Sequence, residues 1–388
     1  MSSPHVLIAG AGIAGLAAAL TLGRLGWRAT IVERAPDLRA DGYMIGLSGP
    51  GHAAATRLGL LPALQPHLRD VGENVYRDRN GKELLRLRYR ELLQGFPWIT
   101  LPRTELVAVL RQAAARFTKI RFGVTVTGFT QDAGGVTATL SDGSTERADL
   151  LIGADGARSA MGRLLFGDPA PAERPLGYRA AAFRVPDQLN LGEDFLSYAE
   201  PGRLAETYVL ADGELATLYV WRTQETDFVP LEQRRDLLRK NFAGTHPAAL
   251  GWIEELPPAA PLYLDALTML DRPAWSTGRV ALLGDAAHCL TLVSGQGAGM
   301  AMASACLLAE EIGRGGDIPA ALARHEARLR PPIRRLQAHS QRMSKWFVPA
   351  SPFAFAMRNA LVRRMPRWLL ARQFIAAIRR EQALVGGL

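Results

Sequence analysis

The strongest constraint on this chain lies at its N-terminus. His5-Val-Leu-Ile-Ala9 is a short, wholly apolar run, and Gly10-Ala-Gly12-Ile-Ala-Gly15 follows it directly. An Ala/Leu-rich stretch then reaches about Leu25, Gly26 ends it, and Trp27 to Glu33 is a second buried-type run. That order reads as strand, tight turn, helix and parallel strand. Each glycine has its own physical reason. Gly10 allows the turn, Gly12 lets backbone approach a pyrophosphate, and Gly15 lets helix and strand pack closely. A diphosphate would sit at the positive end of the helix, on free backbone N–H groups. Glu33 stands 18 residues after Gly15, at the end of the second strand. An acid there suits a ribose hydroxyl. The alternative is a glycine-rich packing turn. The apolar run Val6 to Leu22 could pass for a signal-peptide core, but no basic residue precedes it.

Composition sets the wider bounds. A chain of 388 residues suggests two or three domains, and 48% hydrophobic residues exclude a disordered chain. The two cysteines, Cys289 and Cys306, have no metal-site spacing and make no disulfide framework, so a reducing cytoplasm is expected. The net charge of +9 is unevenly spread. From Pro331 to Leu388 there are 11 basic residues and one acid, Glu381, whereas the rest of the chain is nearly neutral. That segment also carries Trp346, Phe347, Phe353, Phe355, Trp368, Leu369, Leu370, Phe374 and Ile375. It either packs its apolar stripe on the core or on another subunit, or lies on an anionic membrane surface. No nucleic-acid recognition motif accompanies the charge, and no nucleic-acid partner is expected.

Further along, Thr104 to Phe117 reads as a helix with Thr104 as its N-cap. Val136 to Leu140 and Ala148 to Ile152 read as strands of a hairpin around Ser141-Asp-Gly143. The second strand ends in Gly153-Ala-Asp155-Gly156-Ala-Arg158-Ser159. From about Arg174 to Ala266 the alternation predicts an antiparallel sheet, with helical insertions at Leu231–Asn241 and Pro247–Glu255. Gly278 to Leu283 is again a buried strand and leads into Gly284-Asp285-Ala-Ala-His288. A small-residue helix follows from Gly295 to about Ile312.

Three motifs stand in order: GAGIAG with Glu33-Arg34, GADGARS, and GDAAH followed by SGQGAGMA. Together they resemble the single-component FAD-dependent aromatic hydroxylases, the group of para-hydroxybenzoate hydroxylase and the tetracycline-inactivating monooxygenase. The resemblance covers residues 1 to about 330. It implies an α/β fold: a Rossmann-like FAD-binding domain, an inserted, mostly antiparallel β substrate domain, and C-terminal helices. The expected division is a discontinuous FAD-binding domain (1–75, 101–172 and 276–330), a substrate domain (76–100 and 173–275), and a basic helical segment (331–388).

The resemblance also implies roles. Gly10, Ala11, Gly12, Ile13, Ala14 and Gly15 would hold the FAD pyrophosphate, Glu33 the adenosine ribose, and Arg34 would lie along the adenosine. Arg103 matches an arginine that contacts phosphate or ribitol, and Val126 would sit near the adenine through its backbone. Asp155 and Gly156 match an element shared by FAD and NADPH binding, although Asp155 could instead cap the following helix. Gly284 and Asp285 would meet the ribitol. Gly295, Gly297, Ala298 and Gly299 would place N–H groups at the flavin pyrimidine edge, where negative charge develops on reduction. Tyr43 to Gly46 matches the loop beside a mobile flavin. His288 reads as structural, since the chemistry belongs to the flavin. Few acid–base residues are required, no catalytic side chain can be named, and no metal site is expected.

The implied activity is hydroxylation of a mid-sized hydrophobic aromatic or polyketide-like molecule. It would use NAD(P)H and molecular oxygen through a flavin C4a-hydroperoxide. The alternatives are a flavin reductase or dehydrogenase on the same fold, and a non-catalytic FAD-binding protein that handles an unstable intermediate. Three features depart from the family pattern. Leu290 and Leu292 stand in a stretch without proline, Gly299 replaces a frequent Asn, and Ser304 replaces a frequent acid.

Overall fold

The computed structural model describes residues 3–38, 43–167, 173–187, 195–210, 213–257, 260–290 and 295–384. Two large sheets organise the molecule. In the first, six strands run in the order Ser276–Thr277, Val280–Leu282, Leu150–Gly153, His5–Ala9, Arg28–Glu33 and Thr118–Phe122. All neighbours are parallel except the short hairpin at 276–282. Parallel strands are covered on both faces, which is why Val6, Leu7, Ile8, Leu150, Leu151 and Ile152 are all buried apolar residues. The helix Ile13–Arg24 packs on this sheet and is buried from Ile13 to Gly23. Small residues let it approach the helices Arg103–Ala114 and Gly297–Gly313 closely.

The second sheet has seven strands: Tyr263–Leu270, Glu173–Pro186, Glu214–Arg222, Arg203–Val209, Phe195–Glu200, Asn74–Arg77 and Glu83–Leu87. It is antiparallel except where Phe195–Glu200 pairs with Asn74–Arg77. Both of its faces are apolar. One packs Phe183, Tyr219 and Trp221 under the helices Leu231–Phe242 and Pro247–Glu255. The other carries Tyr178, Leu204 and Val220 toward Val348.

The C-terminal half of the chain ties the sheets together. A 30-residue helix, Ile318–Phe347, starts at Asp317, whose side chain accepts the Ala320 N–H at 2.9 Å. Gln337 Nε2 donates to the Leu270 carbonyl, and Tyr178 donates to the Ser344 carbonyl at 2.5 Å. Arg222 Nε donates to the Val348 carbonyl at 2.7 Å. Phe347 and Val348 therefore pack, whereas Trp346, Phe353 and Trp368 stay exposed, Phe353 at 77%. Among the described residues no helix is long and apolar enough to cross a membrane.

Two local expectations change. Ala148–Ile152 is not one strand. Thr145–Ala148 pairs with Gly135–Leu140, and Leu150–Gly153 leaves to join His5–Ala9 in the parallel sheet. Asp149 makes the switch: its carboxylate accepts the His5 N–H at 2.7 Å, and its own N–H donates to the His5 carbonyl. The helix expected from Thr104 begins at Arg103, after Pro102, whose fixed φ of −60° suits that position. The Thr104 hydroxyl instead accepts from Arg184 at 3.3 Å.

Candidate active site

The first strand ends at Ala9, and the chain turns at Gly10 with φ +112°. A side chain there would strike the Ala154 carbonyl. Gly15 lies under that turn, where a Cβ would strike the Gly10 carbonyl. Gly12 is different. A Cβ there would meet no protein atom within 4 Å, so it faces open space. The helix behind it has no side-chain cap and no acid in its first turn. Free N–H groups and a positive helix end thus face a cleft, which suits an anion.

That cleft is lined by Gly10, Ala11, Gly12, Glu33, Arg34, Arg103, Thr125 and Asp155. Glu33 accepts the Ala11 N–H at 2.8 Å through one oxygen and the Ala35 N–H at 2.9 Å through the other. Each oxygen retains a lone pair for a ligand hydroxyl. Asp155 accepts from the Ser159 hydroxyl at 2.5 Å and the Met161 N–H at 3.0 Å. It therefore supports the start of the helix Ala160–Phe166, while its side chain still borders the cleft. Val126 is buried in the core, and its neighbour Thr125 borders the cleft.

The cleft opens into a cavity of about 610 Å³ that shares Gly12, Arg103, Ala154, Gly156 and Arg158 with it. Ile13, Ala14, Tyr43–Gly46, Asp285, Gly295, Gly297 and Ala298 line one side. Glu206, Leu218, Tyr263 and Asp265 from the seven-stranded sheet line the other, and Phe347 closes it from the long helix. Burial raises the Asp285 carboxyl above its ordinary range, and nearby Arg103 partly offsets this. Burial also pushes the Tyr43 and Tyr263 phenols up, so both stay neutral donors near neutral pH. Arg158 pairs with Asp265.

Gly284 and Gly299 lie behind this surface. Gly284 packs against the Ala14 side chain. Gly299 meets Gly51, so the helices Gly297–Gly313 and Gly49–Arg57 touch backbone to backbone. A side chain as large as Asn has no room there. Ser304 is buried with its hydroxyl 3.2 Å from His325 Nε2. Leu290 is buried, and Leu292 falls outside the described residues. His288 is buried against Trp275, and burial lowers its pKa to about 3. It does not line the cavity. The described residues hold no cluster of three potential metal ligands. Sequence reasoning missed Glu206, Tyr263, Asp265 and Phe347. Strand alternation marks a face, but nothing in the alternation says that the face borders a ligand.

Comparison with known proteins adds three findings. Residues 4–177 match the family model for an FAD binding domain. The FAD-dependent monooxygenase asL6 of Sarocladium schorii is 30% identical over 361 residues, covering 86% of this chain and 85% of that protein. Two solved structures superpose with a TM-score of 0.82 at 25% identity: tetracycline destructase Tet(55), covering 96% of both chains, and HpxO of Klebsiella pneumoniae complexed with FAD and uric acid, covering 97% of both.

Proposed function

We propose that this chain, which belongs to the FAD-dependent monooxygenases, oxidises NAD(P)H and hydroxylates a mid-sized hydrophobic aromatic or polyketide-like substrate with O2. The observation that carries this reading is continuity: a cleft shaped for a dinucleotide opens into a cavity of about 610 Å³ against a second sheet. The ring-bearing ligands named for the destructase and the uric acid complex support the substrate class. Two buried thiols, neither of them in a disulfide, suit the reducing cytoplasm in which this chemistry would run.

When bound, FAD supplies the redox chemistry, carrying electrons from NAD(P)H to O2. The chain's own residues bind and orient. In this reading the backbone from Gly10 to Ala14 holds the diphosphate, and Gly15 keeps that turn in place. Glu33 takes the ribose hydroxyls, Arg34 lies along the adenosine, and the backbone at Thr125 and Val126 flanks the adenine. Arg103 neutralises phosphate charge. Asp285 accepts from a ribitol hydroxyl, and Gly284 sets its position. The N–H groups at Gly295, Gly297 and Ala298 face the ring edge where negative charge gathers, and Gly299 seats their helix. Leu218, Leu267, Leu270 and Phe347 exclude water from the cavity. Few acid–base side chains are needed, so the protein's contribution is position, dryness and backbone dipoles.

The test is a coupled measurement on the purified, FAD-loaded protein. NAD(P)H oxidation, O2 uptake and H2O2 release are followed against phenolic and polyketide-like compounds. The expected result is a compound that accelerates oxidation with little H2O2 and gains one oxygen atom. Stimulated NAD(P)H oxidation that reduces a compound without O2 uptake would replace this reading with a reductase.

A further inference from the structure

The substrate cavity holds one acid unlike its others. Asp265 pairs with Arg158, Arg103 stands near Asp285, and Glu173 stands near Arg272. Glu206 forms no ion pair among the described residues. It sits on the strand Arg203–Val209, opposite Leu218 and Ser197 on the neighbouring strands, and its side chain borders the cavity. Its Oε2 is fixed from behind: Asn74 Nδ2 donates to it at 3.0 Å, and the Ser197 hydroxyl lies 2.9 Å from it. Asn74 and Ser197 are both fully buried, so these contacts hold the carboxyl in one orientation. Oε1 accepts no hydrogen bond from the described residues. A carboxylate held this way costs free energy until a donor reaches it, and a charged donor returns most.

We propose that Glu206 is the specificity-determining residue of the cavity and that it recognises a basic nitrogen, a protonated amine, on the aromatic substrate. This rests on the monooxygenase reading of the cavity and narrows its substrate class. Asn74 and Ser197 are positioning residues, since they act through Glu206. A substrate carrying an acid at the same place meets like charge and is rejected.

The experiment uses FAD-loaded protein and reads ligand binding through the flavin absorbance change. The probes share one ring: 2-(aminomethyl)naphthalene, 2-(hydroxymethyl)naphthalene and 2-naphthoic acid. The wild type is expected to bind the amine about tenfold more tightly than the alcohol, as a charged hydrogen bond warrants, and the acid least. Glu206→Gln keeps the shape and removes the charge, and should abolish the preference while leaving flavin content unchanged. Equal affinity for amine and alcohol in the wild type, or a preference that survives Glu206→Gln, would overturn the proposal. The wild type alone offers a second arm. Phenols facing Glu206 come from Tyr76, Tyr89 and Tyr208, all pushed up by burial and neutral, with Arg358 beyond Tyr76 and Arg184 beyond Tyr208. Burial raises the Glu206 carboxyl too. The amine preference should therefore fade as pH falls, starting above the range of an ordinary carboxylate, while alcohol binding stays flat. A preference constant down to acid pH would overturn the proposal as well. Protein that purifies without FAD, seen in the same spectra before any ligand is added, would break the monooxygenase reading itself and this proposal with it.

Discussion

The two sheets solve different problems with different atoms. The parallel sheet presents backbone. Its cleft depends on a turn at Gly10, an open approach at Gly12 and an uncapped helix end. The seven-stranded sheet presents side chains. Glu206, Leu218, Tyr263 and Asp265 reach the cavity from three strands, and large aromatic residues fill the opposite face. In the proposed reading, main-chain geometry meets the dinucleotide and side chains meet the substrate. It follows that damage to the first region should appear in flavin content, and damage to the second in stability or substrate binding alone.

Trp252→Ala is the largest test of that division. Trp252 is 1% exposed under the second sheet, on the face away from the cavity, and its ring lies 5.8 Å from Tyr198. Truncation should cost about 3–5 kcal/mol through lost transfer energy and a cavity. A denaturation series should record that loss while the folded fraction keeps its full flavin-to-protein ratio. Flavin lost in step with stability would show that the two regions are one unit. Gly10→Ala is the reciprocal test. A side chain at φ +112° costs about 1–3 kcal/mol, and the Cβ also strikes the Ala154 carbonyl. Flavin content should fall at least tenfold (roughly the equivalent of 1.4 kcal/mol or more in binding). Normal flavin loading would mean that the turn does not hold the cofactor.

The same contrast explains what could be read in advance. Gly10, Gly12, Gly15 and Glu33 are legible because a backbone site needs particular residues at fixed spacing within one local unit. Asp155 is legible both as a cleft position and as a possible helix cap, and the structure supplies the partners of the second role, Ser159 and Met161. Glu206 and Phe347 are not legible at all. They line one cavity although 141 residues of chain separate them, through a sheet register and a helix docking that no local pattern encodes. Asp149 shows the converse failure. An apolar run continued past it looks like one strand, but a hydrogen bond to His5, 144 residues away, divides the run between two sheets.

Two glutamates give the contrast a pH dependence of opposite sign. Glu311, which is 1% exposed at the side chain, joins the helix Gly297–Gly313 to the long C-terminal helix through Arg324 at 3.0 Å and Arg328 at 3.1 Å. Burial raises its carboxyl, but hydrogen bonds from Arg324 and Arg328 and the charge of Arg314 outweigh that, so it lies below the ordinary value. A depressed folded pKa gives stability that is complete above the unfolded value and is lost as pH falls through the folded one. Glu311→Gln should cost about 2 kcal/mol at neutral pH, discounted because the arginines are partly exposed. It should also flatten the acid limb of the stability curve. Glu206, raised by burial, favours the folded state most when protonated, and that advantage is lost as pH rises. Glu206→Gln should leave the melting temperature at neutral pH equal or higher. A lower value for this variant would mean that a cation stabilises Glu206 in the free protein.

Tyr219→Phe is the smallest and the cleanest probe. Its hydroxyl donates to the Ala249 carbonyl at the bottom of the second sheet's outer core, and its ring stacks on Phe183 at 5.4 Å and meets Phe242 edge-on at 4.8 Å. The substitution keeps both ring contacts and removes one buried hydrogen bond. The Ala249 carbonyl is then left without that donor, so the cost should be about 1 kcal/mol. No residue that lines the cleft at Gly10–Gly12 takes part in this bond, and the cavity lies on the other face of the sheet. Flavin content and ligand binding should both stay at wild-type values while the denaturation midpoint drops slightly. A change in the amine-to-alcohol ratio at the cavity would mean that the two faces of the sheet communicate. The side chains around Glu206 would then be set by the packing of the whole layer and not by Asn74 and Ser197 alone.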